Sequence, residues 1–190
     1  MLNEPRILIL AIGNRSRGDD GVAPILLERL AARINRIANA EFIIEEVYQL
    51  QPEHIYDMEI ADAVLIVDAA TDLDANIRLG RIKANKKAEV GTHTVSPGNL
   101  LGLYQNLLRK PPPPSFLLSI KASEFGFTEK LSCDCQRALA DAESFVLEEL
   151  ANPCRLLGQV AGLRAAEQRS MEGQAMEGQA MEGLALERGA

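Results

Sequence analysis

Short apolar runs and amphipathic segments alternate along this chain. The runs at 7–12 and 63–70 are apolar at nearly every position, which is typical of strands buried on both faces of a parallel sheet, and the mostly apolar segment 115–122 predicts another buried strand. The segment 41–47 is a fourth strand candidate. The segment 77–84 alternates between apolar and polar residues, which predicts an edge strand.

Apolar residues at helical spacing lie between these strands. They predict helices at about 21–37, 97–109 and 129–151, the second with Ser96 as its N-cap, and a short helix or turn at 52–62. This alternation predicts an α/β fold. We expect a three-layer sandwich with a mostly parallel, twisted sheet flanked by helices on both faces.

The pattern changes near the end of the chain. Residues 1–152 are predicted to form a single α/β domain, and residues 153–190 a C-terminal extension that holds the repeat MEGQA, MEGQA, MEGLA. Each repeat contains a glycine and little apolar surface. The extension is therefore predicted to be mobile, without an assigned role.

Composition excludes several classes of protein. A formal net charge of −7 argues against nonspecific nucleic-acid binding, which needs a basic surface. No apolar run is long enough to predict a membrane span, and the first residues do not resemble a signal peptide. The sparse cysteines, of which Cys133 and Cys135 are predicted to point apart on a helix, do not form a disulfide or metal-binding pattern. We expect a cytoplasmic protein.

Residues able to bind a metal follow the predicted strands. Asn14, Asp19 and Asp20 come after the first strand, Asp68 ends the third, and His93 precedes a helix. Because ligands bind at the carboxyl ends of strands in open α/β sheets, Asp20, Asp68 and His93 are predicted to converge. Two carboxylates and an imidazole would form a mixed oxygen and nitrogen metal site with open coordination positions.

Simpler interpretations of the same residues remain open. Asp19 or Asp20 could cap the helix that follows, Asp68 could only end a strand, and His93 could be a loop histidine. His54, beside a glutamate in a polar segment, is expected to be solvated. A phosphate site at the glycine turn is less favoured. The turn has neither GxGxxG nor GxxxxGK[ST], and two aspartates would repel the anion.

Several stretches, in order, resemble the hydrogenase maturation proteases (peptidase M52-like), the endopeptidases that trim the large subunit of nickel–iron hydrogenases. They span about residues 5–150 and read ILILAIGNRSRGDDGVAP, VYQLQPEH, VLIVDAA, GTHTVSPGNLL and EFGFTEKLS. The resemblance implies an aspartyl-type endopeptidase that removes the C-terminal extension of a large-subunit precursor after nickel insertion. It also implies that the nickel arrives with the precursor, and we expect no tightly bound cofactor of the protein's own.

The resemblance also implies roles for particular residues. Asp20, Asp68 and His93 would be the nickel ligands. Separately from the resemblance, Asn14 and Gln49 are candidates for contact with the substrate. The precursor would be the partner of a monomeric enzyme.

No nucleophile motif is present, so water is the expected nucleophile, activated by nickel as a Lewis acid or by a carboxylate as general base. The catalytic candidates are Asp20 and Asp19. We expect Asp20 to coordinate the metal and Asp19 to cap the helix or hold Asn14. Two other functions remain open: a metal hydrolase with its own resident ion, and a noncatalytic, chaperone-like nickel-sensing module.

Overall fold

A computed structural model describes residues 4–34, 40–85 and 95–151. The chain divides after Pro153, and the α/β unit described below precedes that point. The predicted C-terminal extension, residues 153–190, lies outside the described residues, and so do residues 86–94, which include His93.

Five strands form one sheet. They are β1 (Arg6–Ile12), β2 (Glu41–Val47), β3 (Ala63–Ala70), β4 (Ile77–Arg81) and β5 (Ser115–Lys121). Their order is β2-β1-β3-β5-β4, in which all neighbours are parallel except β4, which is antiparallel to β5. The mostly parallel sheet predicted from the alternation of elements is confirmed.

Burial explains which strands are central. Residues 7–11 of β1 are 0 % exposed, and residues 63–67 of β3 are also buried. Both strands therefore need apolar side chains on both faces, which is why their sequences are continuous apolar runs. The outer strands β2 and β4 expose alternate positions, and the edge position predicted for 77–84 is confirmed, although β4 ends at Arg81.

Helices cover both faces of this sheet. They are α1 (Val22–Ile34), α2 (His54–Glu59), α3 (Pro97–Leu108) and α4 (Cys133–Ala151). Helices α1 and α4 pack together on one face. Helices α2 and α3 pack on the other face, against a cluster of side chains from β1 and β3 that includes Leu8, Leu10 and Ile66. The predicted three-layer sandwich is confirmed.

Capping residues set the helix limits. The Ser96 hydroxyl accepts a hydrogen bond from the backbone N–H three residues later, at 3.3 Å, which confirms Ser96 as the N-cap of α3. The start predicted for the last helix, residue 129, was four residues too early. Ser132 precedes α4, and its hydroxyl accepts a hydrogen bond from the Cys135 N–H at 3.1 Å.

In the described part of the chain, no helix is both long enough and apolar enough to cross a membrane.

Candidate metal-binding site

The site begins with the turn that follows β1. Gly13 has φ +152°, and its N–H donates to the Val47 carbonyl at the end of β2, at 3.0 Å. A Cβ atom on Gly13 would lie only 1.9 Å from the backbone oxygen of Asp20. Glycine is therefore required here, because only a residue without a side chain lets the Asp20 backbone pass this close to the end of β1.

Asn14 shapes the same turn. Its side-chain oxygen accepts from the Ser16 N–H at 2.9 Å, and its carbonyl accepts from the Arg17 N–H at 3.0 Å. This is an Asx turn closed by the side chain. A substrate contact by Asn14 stays a prediction, as does one by Gln49, which is exposed just after β2.

The two aspartates lie in a 3₁₀ helix, Gly18–Gly21, that leads into α1. The carboxylate of Asp19 is 0 % exposed. It accepts hydrogen bonds from the N–H groups of Ser123, Glu124 and Ser132 at 2.9, 3.0 and 2.7 Å. The Ser132 hydroxyl donates a fourth hydrogen bond at 2.8 Å.

Burial alone would raise the pKa of the Asp19 carboxyl. The N–H donors of Ser123, Ser132 and Glu124, together with the Ser132 hydroxyl, outweigh that effect, and the pKa lies below its ordinary value. Asp19 therefore stays ionised and fixes the β5–α4 loop (residues 122–132) to the 3₁₀ helix. The expectation that Asp19 caps the following helix or holds Asn14 was wrong, because its acceptor oxygens are engaged by donors more than 100 residues away.

Asp20 and Asp68 are the two carboxylates that lie close to each other at the edge of the sheet formed by the carboxyl ends of the parallel strands. Asp68 lies in β3 opposite Ser119 of β5, one residue beyond the last β1–β3 pair. Burial raises its pKa to about 6; the Ala69 N–H opposes this rise, and the negative charge of Asp20 adds to it. A carboxylate with a raised pKa beside a second carboxylate is an arrangement that a cation would stabilise.

The third predicted ligand, His93, lies outside the described residues, so its role stays a prediction. Within residues 4–34, 40–85 and 95–151, no group of three or more histidine, cysteine or acidic side chains is arranged to hold a metal ion. Of the three predicted ligands, Asp20 and Asp68 lie within the described residues, and their binding of a metal also stays a prediction.

Arg15, which was not among the residues predicted from the sequence, stabilises the loop that follows β1. The Arg15 guanidinium donates to both Glu46 oxygens at 2.9–3.2 Å, to Glu28, and to the Pro24 carbonyl at 2.9 Å. Hydrogen bonding to Glu46, then to Glu28, raises the pKa of Arg15. This cation ties the loop to β2 and α1. The DDG sequence gives no signal for it, because its partners lie on other elements.

Two predictions outside the site can also be judged. His54 is only 8 % exposed, and its Nδ1 lies 2.8 Å from the Gln51 N–H, so the expectation that it is solvated was wrong. The expectation that Cys133 and Cys135 point apart is confirmed, since the first is exposed and the second is buried.

The fold and the acidic edge define an α/β protein with one carboxylate near the carboxyl end of β3 and a second in the 3₁₀ helix that follows β1. Solved structures of hydrogenase maturation proteases share this fold. The hydrogenase maturating endopeptidase HybD from E. coli is 19 % identical, with a TM-score of 0.54 over 78 % of this chain and 93 % of that chain.

Two archaeal structures give the same result. The [NiFe] hydrogenase maturation protease HycI from Thermococcus kodakarensis is 19 % identical, with a TM-score of 0.55 over 80 % of this chain and 96 % of that chain. The hydrogenase 2 maturation peptidase from a Thaumarchaeota archaeon is 19 % identical, with a TM-score of 0.54 over 76 % and 97 %. No protein-family model matches the sequence, and no curated protein matches it significantly. The resemblance seen in the sequence motifs is thus confirmed at the level of the fold.

Proposed function

We propose that this protein is a hydrogenase maturation endopeptidase. It removes the C-terminal extension of a nickel–iron hydrogenase large-subunit precursor after nickel has been inserted, and it recognises the nickel that the precursor carries. The observation that carries the proposal is the Asp20–Asp68 pair, placed at one sheet edge in a fold shared with solved proteases of that name. We place the enzyme in the cytoplasm, as a monomer.

Charge explains why this pair suits a metal that arrives with the substrate. The free protein holds Asp68 in a partly buried position beside Asp20, where ionisation is less favourable than in water. A divalent cation between the two carboxylates relieves their repulsion and lowers the pKa of Asp68. Carboxylate oxygens and an imidazole from His93 would provide a mixed ligand set that nickel accepts. This stabilisation is available only when the precursor carries nickel.

The environments of the two adjacent aspartates separate their roles. Asp20 is partly exposed at the edge and can touch a substrate, whereas the Asp19 carboxylate is enclosed by four hydrogen-bond donors. We therefore assign metal contact to Asp20 and a positioning role to Asp19. Hydrolysis then uses water, activated either by the substrate's nickel as a Lewis acid or by a carboxylate as general base.

Mass spectrometry of a precursor incubated with the protein tests this proposal. We expect loss of the C-terminal extension from nickel-loaded precursor and none from nickel-free precursor. The Asp20→Asn variant should lose cleavage, while Asp74→Asn, which changes an exposed carboxylate after β3, should keep it. If folded Asp19→Asn lost cleavage while Asp20→Asn kept it, the two roles would be reversed.

Other outcomes of the same experiment identify the alternatives. Binding of the loaded precursor without any loss of mass would make the protein a noncatalytic nickel-sensing module. Cleavage that does not depend on the precursor's nickel, together with a stoichiometric metal in the purified protein, would make it a hydrolase with a resident ion.

A further inference from the structure

The β5–α4 loop carries an aromatic side chain that the fold does not use. Phe127 is 97 % exposed. Single exposed apolar residues are common on protein surfaces, so exposure alone indicates no function. Phe127 differs from such residues because hydrogen bonds fix its loop on both sides of it.

The loop is fixed to the 3₁₀ helix on both sides of Phe127. The Gly18 N–H donates to the Thr128 carbonyl at 2.6 Å, and the Asp19 N–H donates to the Glu124 carbonyl at 2.8 Å. The buried Asp19 carboxylate receives the loop's own N–H groups. Gly18, at φ +59°, permits the close approach, because a Cβ there would lie 2.5 Å from the Glu124 carbonyl.

This bonding has two consequences. The backbone around Phe127 is ordered before any partner arrives, which reduces the entropy cost of a contact made by its side chain. The segment that fixes the loop also carries Asp20, so Phe127 and the metal-binding edge belong to one continuous unit. Because β5 runs parallel to β3, the loop that follows β5 also starts at the carboxyl end of the sheet, on the side where Asp68 lies.

We propose that Phe127 is an anchor contact for the large-subunit precursor, packing against apolar side chains that surround its nickel. This inference rests on the proposed function. Charge complementarity favours this occupant: the Asp20 and Asp68 carboxylates select a partner with a cation at its centre, and the neighbouring exposed aromatic selects apolar surface around that cation. Aromatic residues, phenylalanine included, are enriched at protein–protein interfaces relative to the rest of the surface.

Steady-state cleavage of nickel-loaded precursor by the full chain tests the anchor. We expect Phe127→Ala to raise KM about tenfold, equivalent to about 1.4 kcal/mol, with kcat within about twofold. Phe127→Leu, which keeps an apolar side chain, should stay within about threefold of the wild type. The matched control is Leu107→Ala. Leu107 is 56 % exposed on α3, which leads towards the amino end of β5, and its replacement should leave KM unchanged.

The fold should survive both alanine changes, because neither side chain is buried, and an unchanged Tm verifies this. An unaltered KM in Phe127→Ala, or an equal rise in Leu107→Ala, would overturn the proposal. So would a dimer of the free protein that Phe127→Ala dissociates without any effect on KM, because the loop would then serve self-association.

Binding separates this inference from the proposed function. If wild-type protein leaves the loaded precursor intact, the endopeptidase proposal fails, and calorimetric titration of that precursor then decides the anchor. About tenfold weaker binding by Phe127→Ala would support it. Equal binding by the two proteins, or no binding by wild type, would overturn it.

Discussion

The Asp19→Asn substitution removes a buried charge while keeping the size of the side chain. Four donors surround that carboxylate: three backbone N–H groups, from Ser123, Glu124 and Ser132, and the Ser132 hydroxyl. An asparagine oxygen in place of Oδ2 can still accept from Ser123 and Glu124. Its NH₂ group would then face the Ser132 N–H, so that one donor loses its acceptor.

The magnitude follows from these contacts. A hydrogen bond to a charged group contributes about 1.5–3 kcal/mol, and an unsatisfied buried donor costs about 1–3 kcal/mol. Removing a buried charge offsets part of this loss. We expect a net decrease of about 3 kcal/mol in the free energy of unfolding, which lowers Tm by about 6–12 °C for a domain of this size.

The pH dependence provides a second check. The folded-state pKa of Asp19 lies below its ordinary value, so the stabilisation is fully present above the ordinary pKa and is lost as pH falls through the folded-state pKa. The difference between wild type and Asp19→Asn should therefore shrink in acid. Urea unfolding followed by circular dichroism at pH 7 and at successively lower pH measures it.

The control for Asp19→Asn is a substitution of an exposed aspartate. Asp134→Asn removes an exposed aspartate paired with Arg137 on α4 and should change stability by less than about 1 kcal/mol. Equal stability of Asp19→Asn and wild type at pH 7 would refute the role given to the four donors. A difference that widens in acid would refute the assigned direction of the pKa shift.

Three further predictions concern other residues. Because burial and Asp20 raise the folded-state pKa of Asp68 from 3.8 to about 6, its ionisation destabilises the fold as pH rises through that interval. Asp68→Asn should therefore raise the free energy of unfolding of metal-free protein by about 1–2 kcal/mol at pH 7, as urea unfolding would show. This gain is smaller than the full pKa shift implies, because the carboxylate is partly exposed. Near pH 3 the substitution should leave stability unchanged. Burial and contact with Asp19 raise the pKa of the Cys135 thiol to about 12, so iodoacetamide should label Cys133 but not Cys135 in native protein, as peptide mapping would show. Gly13→Ala should yield no cooperative thermal transition, since its Cβ would overlap the Asp20 carbonyl; a wild-type-like Tm would contradict that geometry.

The central strands could be predicted because burial on both faces requires apolar residues at nearly every position. A strand covered on both faces has only apolar neighbours, so β1 and β3 read as unbroken runs, and the rule that ligands gather at carboxyl strand ends then located Asp20 and Asp68. These inferences need only local composition and the order of elements.

The role of Asp19 could not be predicted in this way. Its partners are backbone N–H groups 104 to 113 residues later, and a backbone donor leaves no mark on the identity of the residue that carries it. The start of α4 was misplaced for a related reason. Helical spacing continues back to residue 129, but the Ser132 hydroxyl caps the helix and donates to Asp19.

The geometry of the 3₁₀ helix explains why adjacent aspartates have different tasks. Successive side chains in such a helix point about 120° apart, so two neighbours cannot both face one metal ion. Asp19 faces inward, where backbone donors and not a cation balance its charge. Asp20 faces the edge, where its negative charge adds to the effect of burial on the pKa of Asp68. In the proposed function, the nickel of the precursor balances the charges of these two carboxylates.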